Sequence, residues 1–166
     1  GIVLAGDCPV GLESTFLDLT TSPPRILRPG KVSYEDLVAY ISDLVIHHGS
    51  DQTASPGTRY RHYAPRTPVY LLSGSWAQFE VFMKQHPEGI FFVPDELWQD
   101  APNQVRFLPE GSLEEASRRL YRDLRRVDGL SEAIYIPVPE AVGIGRALID
   151  RLIRAAQGNI IDLEEI

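Results

Sequence analysis

Residues 69–93 read VYLLSGSWAQFEVFMKQHPEGIFFV, and their order decides the fold. The apolar runs at 69–72 and 90–93 read as strands and the stretch between them, 76–85, as a helix. The alternation continues with a strand at 105–108, a helix at 113–127, a strand at 133–136 and a helix at 144–156. Apolar strands separated by helices predict an α/β layout with a mostly parallel sheet covered on both faces, because parallel strands need long, right-handed crossovers. No internal repeat and no low-complexity run interrupts it.

Upstream the pattern changes. Residues 10–20, VGLESTFLDLT, are rich in β-formers without one clean apolar face and read as a strand. Arg25, Ile26, Leu27 and Arg28 form a second short strand, closed by Pro29-Gly30, so a hairpin is expected. Ser33 and Asp36 have the spacing of a helix cap, and Leu37, Val38, Ile41, Leu44 and Val45 follow at helical intervals, which predicts one helix to about His47. Residues 49–68 are punctuated by Gly, Ser, Thr and Pro, with Arg59, Arg61 and Arg66 gathered around Tyr60, His62 and Tyr63. They read as a linker.

Length and composition narrow the function classes. The 166 residues suffice for a core without staples, and 43% hydrophobic with 23% charged residues is ordinary for a globular chain. No apolar run approaches the roughly 20 residues of a membrane-spanning helix. Sixteen basic against 23 acidic residues give a net charge of −7, so neither stable nucleic-acid binding nor membrane association is expected of the surface as a whole, and any anion site must be local. Cys8 is the only cysteine, which excludes an internal disulfide and a multi-thiolate zinc site; a cytoplasmic protein is the expectation.

Four groups of residues can be weighed for chemistry. Glu13, Ser14 and Thr15 precede Arg28 by one hairpin, and a hydroxyl beside a guanidinium can hold a carboxylate or phosphate; alternatively Ser14 and Thr15 decorate a sheet face while Arg28 pairs with Glu13 or Asp18. Residues 55–65 can form a positive, aromatic lid or a linker that packs its tyrosines and leaves its arginines in water. Gly143-Ile144-Gly145 before a helix lacks the third glycine of a dinucleotide fingerprint and reads as a tight turn. The helix at 113–127 carries Arg118, Arg119, Arg122, Arg125 and Arg126, with acids early and bases late as the helix dipole prefers; it reads as amphipathic, with an RNA-facing stripe as the alternative. His47 and His48 lack the further ligands of a metal centre, and Cys8 has no base partner.

Taken together, residues 8–15 (CPVGLEST), 26–30 (ILRPG), Ser55-Pro56-Gly57 and Tyr60-Arg61-His62-Tyr63-Ala64-Pro65 resemble, in order and spacing, the end of the YrdC-like domain and the linker of two-domain threonylcarbamoyl-AMP synthases. Leu120-Tyr121, Leu124-Arg125, Asp128, Gly143-Ile144-Gly145-Arg146-Ala147, Asp150-Arg151-Leu152 and Arg154-Ala155-Ala156 resemble that family's Rossmann-like C-terminal domain. The resemblance implies three regions: 1–48 as the terminal strands and helix of a YrdC-like α/β domain, 49–68 as an extended linker and lid, and 69–166 as a Rossmann-like three-layer domain. It also implies the synthesis of L-threonylcarbamoyladenylate and pyrophosphate from L-threonine, bicarbonate and ATP with magnesium, serving threonylcarbamoyladenosine modification of tRNA and the proteins downstream of it. By that resemblance Ser14 contacts threonine, Arg28 contacts ATP, and His62, or second Tyr60, touches the nucleotide. The Lys, Arg and Ser-rich elements that build most of such a site are absent from this sequence, so the chain is expected to be a C-terminal piece without activity alone. A stand-alone module that binds a nucleotide, tRNA or protein is the competing expectation, and a small hydrolase or transferase using His62 or Cys8 a third.

Overall fold

The computed structural model describes residues 11–47 and 64–166, and Cys8, His48, Tyr60 and His62 lie outside them. From residue 64 onward the expected alternation is present: β4 (Val69–Ser73), α2 (Trp76–Gln85), β5 (Ile90–Val93), β6 (Gln104–Arg106), α3 (Leu113–Val127), β7 (Ile134–Pro137), α4 (Gly145–Ala155) and β8 (Ile160–Asp162). The five strands lie in the order β6-β5-β7-β4-β8 and every pairing is parallel. The period-two alternation of each strand then sorts the core into two layers. Val69, Leu71, Ile90, Phe92, Ile134 and Ile136 face α3 and α4, while Leu72, Phe91, Val93 and Tyr135 face Phe79, Phe82 and Met83 of α2. A sheet with helices on both faces is the three-layer arrangement expected from the sequence.

Two ends of this domain differ from expectation. The strand expected at 105–108 is β6 at Gln104–Arg106, and Leu108 turns away with φ of 54°. The edge strand β8 was not foreseen: after α4, Gln157 and Gly158 take positive φ, the Gly158 N–H donates to the Ile153 carbonyl, and the chain reverses to lay Ile160–Asp162 beside β4. A glycine just past a helix followed by Ile160-Ile161 was the readable signal.

Residues 11–47 build a smaller sheet. β1 (Phe16–Asp18) pairs antiparallel with β2 (Arg25–Arg28), so the hairpin is present, but β1 is far shorter than the expected 10–20. The residues before it turn aside: Leu12 packs against Ile144 and Ala147 of the larger domain. The helix expected to run to His47 is also corrected. α1 (Tyr34–Val38) begins on the expected Ser33 and Asp36 capping box but stops after five residues, and β3 (Val45–Ile46) pairs parallel with β2. α1 buries no side chain, so extending it gains little, whereas Val45 and His47 donate their N–H groups to Pro24 and Ile26 and satisfy the free edge of β2.

The end of the expected linker is fastened to the larger domain. Asp128, after α3, accepts hydrogen bonds from the N–H groups of Arg66 and Thr67 and from the Thr67 hydroxyl, at 2.9, 2.9 and 3.2 Å. These bonds hold its carboxyl below the usual aspartate range.

The two glycines of the turn before α4 serve different needs. A Cβ at Gly145 meets the Glu140 carbonyl oxygen at 2.0 Å, whereas Gly143 has open space but a φ of 54°. Gly145→Ala is therefore expected to lose roughly 2–3 kcal/mol through backbone displacement, and Gly143→Ala about 1 kcal/mol through left-handed strain. Urea unfolding of the two variants checks this, and equal losses count against the difference.

Candidate functional site

The two residues singled out in the hairpin region meet. Arg28, at the end of β2, donates from Nε to the Ser14 carbonyl at 3.0 Å and from Nη2 to the Ser14 hydroxyl at 3.3 Å. Asp18 pairs instead with Arg25, 3.1 Å away. Ser14 is exposed and Arg28 half-buried, so a hydroxyl and a permanent cation stand together at the surface. The crossing is held from below by Gly30, where a Cβ would lie 2.3 Å from the Thr15 nitrogen, and by the Thr15 hydroxyl, which donates to the Val32 carbonyl at 2.7 Å. The corner thus offers an anion two donor types, with the Glu13 carboxylate nearby.

Glu13 is engaged elsewhere, and this is what sequence reasoning missed. Its carboxylate accepts from Arg151 Nε of α4 at 2.5 Å, across the seam between the two units. Arg151 is 2% exposed and also reaches the Pro29 carbonyl at 3.4 Å and the Asp150 carboxylate. The signal was present in the sequence: on a helix at 144–156, Arg151 falls in line with Ala147, Leu148 and Ala155, an apolar stripe where an arginine needs a specific partner. A second contact crosses the same seam, where Arg146 donates to Glu35 at 2.6 Å and stands 5.8 Å from the Tyr34 ring centroid. Between these contacts lies a cavity of about 10 Å³ lined by Pro29, Gly30, Tyr34, Gly143 and Arg146, room for one water at most.

Further candidates lie among the described residues. Four of the five arginines of α3 lie near acids of their own helix: Asp123, nearly buried, lies 3.3 Å from Arg119, 3.6 Å from Arg122 and 4.0 Å from Arg126, and Glu115 lies 2.7 Å from Arg118. The Gly143 to Gly145 segment is a tight turn, as read. At the carboxyl end of the sheet Asp95 takes both Arg106 nitrogens at 2.5 and 2.7 Å and the Glu110 N–H at 2.8 Å, and the Arg106 hydrogen bonds hold its carboxyl at about 2. That loop is locked onto β6, while the loop after β7 faces the smaller unit. Among the described residues no group of three His, Cys, Asp or Glu side chains is placed to hold a metal ion, and no helix is long and apolar enough to cross a membrane.

The architecture defines a class: a parallel three-layer α/β domain with a smaller sheet docked at α4 and a hydroxyl–guanidinium corner beside the docking contacts. Residues 32–157 match the family described as threonylcarbamoyl-AMP synthase, C-terminal domain, and the chain belongs to that family. It is 32% identical over 171 residues to the threonylcarbamoyl-AMP synthase of Pyrococcus abyssi and 29% identical over 174 residues to that of Bacillus subtilis. These alignments take in 96% and 97% of the chain but 50% of each relative, so the chain spans about half the length of the relatives it matches. Among solved structures, P. abyssi Sua5 complexed with L-threonine superposes with a TM-score of 0.78 at 29% identity, over 95% of this chain and 49% of that one. A variant of P. abyssi Sua5 with an adjacent histidine and tyrosine changed to alanine gives 0.76 at 30% identity, over 93% of this chain and 47% of that one.

The seam is expected to respond to acid through Glu13. Burial acts to raise its pKa, but the Arg151 charge and hydrogen bond, a backbone hydrogen bond and the Arg28 charge outweigh it, so the carboxyl titrates below its ordinary 4.5. A depressed carboxylate stabilises the fold above the unfolded value and loses that contribution as pH falls through the folded value. Carboxyl titration by NMR checks this: Glu13 is expected to titrate below 4.5, and a midpoint at or above 4.5 counts against the bridge.

Proposed function

We propose that this chain is the C-terminal half of an L-threonylcarbamoyladenylate synthase, which condenses L-threonine, bicarbonate and ATP to threonylcarbamoyl-AMP and pyrophosphate. The observation that carries the reading is the Ser14–Arg28 corner, with its hydroxyl 3.3 Å from a guanidinium nitrogen, in a chain that superposes over 95% of its length on a protein solved with L-threonine. In the reaction the threonine amine takes up the carbon of bicarbonate with loss of water. The resulting carbamate oxygen attacks the α-phosphorus of ATP, and pyrophosphate leaves.

Ser14 supplies a neutral donor and acceptor suited to the threonine, and Arg28 supplies positive charge to the triphosphate. Catalysis of such a transfer rests on placing the reactants and neutralising phosphate charge. His62 is the first choice for a nucleotide contact from the linker and Tyr60 the second. His62-Tyr63 is the chain's only His-Tyr pair, and an adjacent His and Tyr are the residues changed in one solved relative. Magnesium would arrive on the phosphates of ATP, since the described residues offer no cage for it. The product is an activated carbamoyl donor for tRNA modification, a role that suits a cytoplasmic protein.

One Ser, one Arg and a linker do not gather three substrates, so the isolated chain is expected to release no pyrophosphate, whereas the protein extended upstream by its N-terminal half does so. In the extended protein Ser14→Ala is expected to raise KM for L-threonine and Arg28→Ala KM for ATP, each by about tenfold, the scale of one polar or charged hydrogen bond. Turnover by the isolated chain, or both variants with unchanged KM, would reject the reading.

A further inference from the structure

We propose that Arg151, supplied by the larger C-terminal domain, is a positioning residue for the ligand contacts Ser14 and Arg28 of the smaller unit. The inference rests on the reading of those two residues given above and extends it to a side chain that touches neither ligand.

Arg151 grips Glu13, the residue before Ser14, through Nε at 2.5 Å, and the carbonyl of Pro29, the residue after Arg28, through Nη2 at 3.4 Å. Arg28 in turn bonds the Ser14 carbonyl and hydroxyl. Two peptide bonds and these contacts form a closed ring, Arg151 to Glu13 to Ser14 to Arg28 to Pro29 and back to Arg151. A planar guanidinium with donors in a fixed fork sets the spacing of two separate chain segments in a way a single ammonium does not. The anchor is stiff, because Arg151 is 2% exposed on α4 between Leu148 and Leu152, both fully buried. The outer side of the ring is where Ser14 and Arg28 meet solvent, so a shift of either segment changes the distance between the hydroxyl offered to threonine and the guanidinium offered to ATP.

Arg146 provides the internal control. It crosses the same seam from the same helix, but its partner Glu35 lies in α1, outside the ring. A residue that merely glues the units together predicts equal behaviour for Arg146 and Arg151, whereas a positioning role predicts a split.

The test uses the protein extended upstream by its N-terminal half, with pyrophosphate release measured against L-threonine and ATP and melting followed alongside. Arg151→Gln is expected to raise both KM values by about tenfold, the scale of one charged hydrogen bond, with kcat within about twofold. Arg151→Lys, which keeps a charge for Glu13 but lacks the fork, is expected to fall between. Arg146→Ala is expected to leave both KM values within about twofold. KM values for Arg151→Gln that rise no further than those of Arg146→Ala overturn the proposal. Where Arg151→Gln fails to melt cooperatively, Glu13→Gln, which keeps the shape and removes the charge, is read in its place: raised KM values support the proposal, and unchanged ones overturn it. Ser14→Ala and Arg28→Ala in the same assay separate the two readings. If they raise KM while Arg151→Gln does not, only the positioning role falls; if they are silent, the ligand reading falls and takes this one with it.

Discussion

A buried guanidinium has to find acceptors, and most of the relation between the two units follows from that constraint. Transfer of a cation from water into a protein interior costs several kcal/mol unless partners replace its hydration. Arg151 cannot titrate away its charge, so its partners must be present in the folded state. Asp150 on its own helix supplies one, and the smaller unit supplies the others through Glu13 and the Pro29 carbonyl. Docking the smaller unit covers Arg151 and replaces water with the Glu13 and Pro29 acceptors. Residues 11–30 are shaped to supply them.

The sheet explains why that need is expressed at this place. Parallel order forces each helix to return over a face, and the crossover from β7 to β8 carries α4 past β4 with its N-terminus at the carboxyl end of the strands. In open α/β sheets that end is where ligands commonly enter. Here Leu12 packs onto Ile144 and Ala147, and Gly143 and Arg146 line the small seam cavity with Pro29 and Gly30. Part of the ground a nucleotide would hold in a stand-alone domain of this kind is therefore taken by the smaller unit. The smaller sheet accordingly places its Ser14–Arg28 corner next to the larger domain instead of at a distance from it.

How far the sequence could be read depends on whether the residues concerned bury two faces, one or none. Strands such as 90–93, with all four side chains buried, and helices such as 113–127, with one apolar stripe, announce themselves because burial dictates their period. Residues 33–47 did not, because α1 buries nothing and Val45-Ile46 are placed by an open strand edge, a demand that exists only once β2 is in position. The edge strand β8 was hidden for a similar reason, since Ile160 is exposed and the strand is fixed by pairing to β4. Within the candidate site, Ser14 and Arg28 were legible as a chemical pair, and the structure brings them together. Arg151 was legible only as an anomaly in an apolar stripe, because its partners in the smaller unit lie more than a hundred residues away in the sequence. The linker residues Tyr60 and His62 stand outside the described structure and rest on resemblance.

The ion pairs that cross the seam have a thermodynamic consequence. The acceptor carboxylates Glu13 and Glu35 are 38% and 44% exposed, and ion pairs in contact with water contribute little individually. The two units belong to one chain, so docking is an intramolecular event. Modest contacts then suffice to close the seam without making closure irreversible. Because the contacts that close it are the sequence neighbours of Ser14 and Arg28, closure and ligand geometry share the same backbone. Linkage is reciprocal: whatever docking of α4 contributes to binding at Ser14 and Arg28, the substrates bound there must return to the docking equilibrium by the same factor. The C-terminal domain can act on the site in this way without touching a ligand.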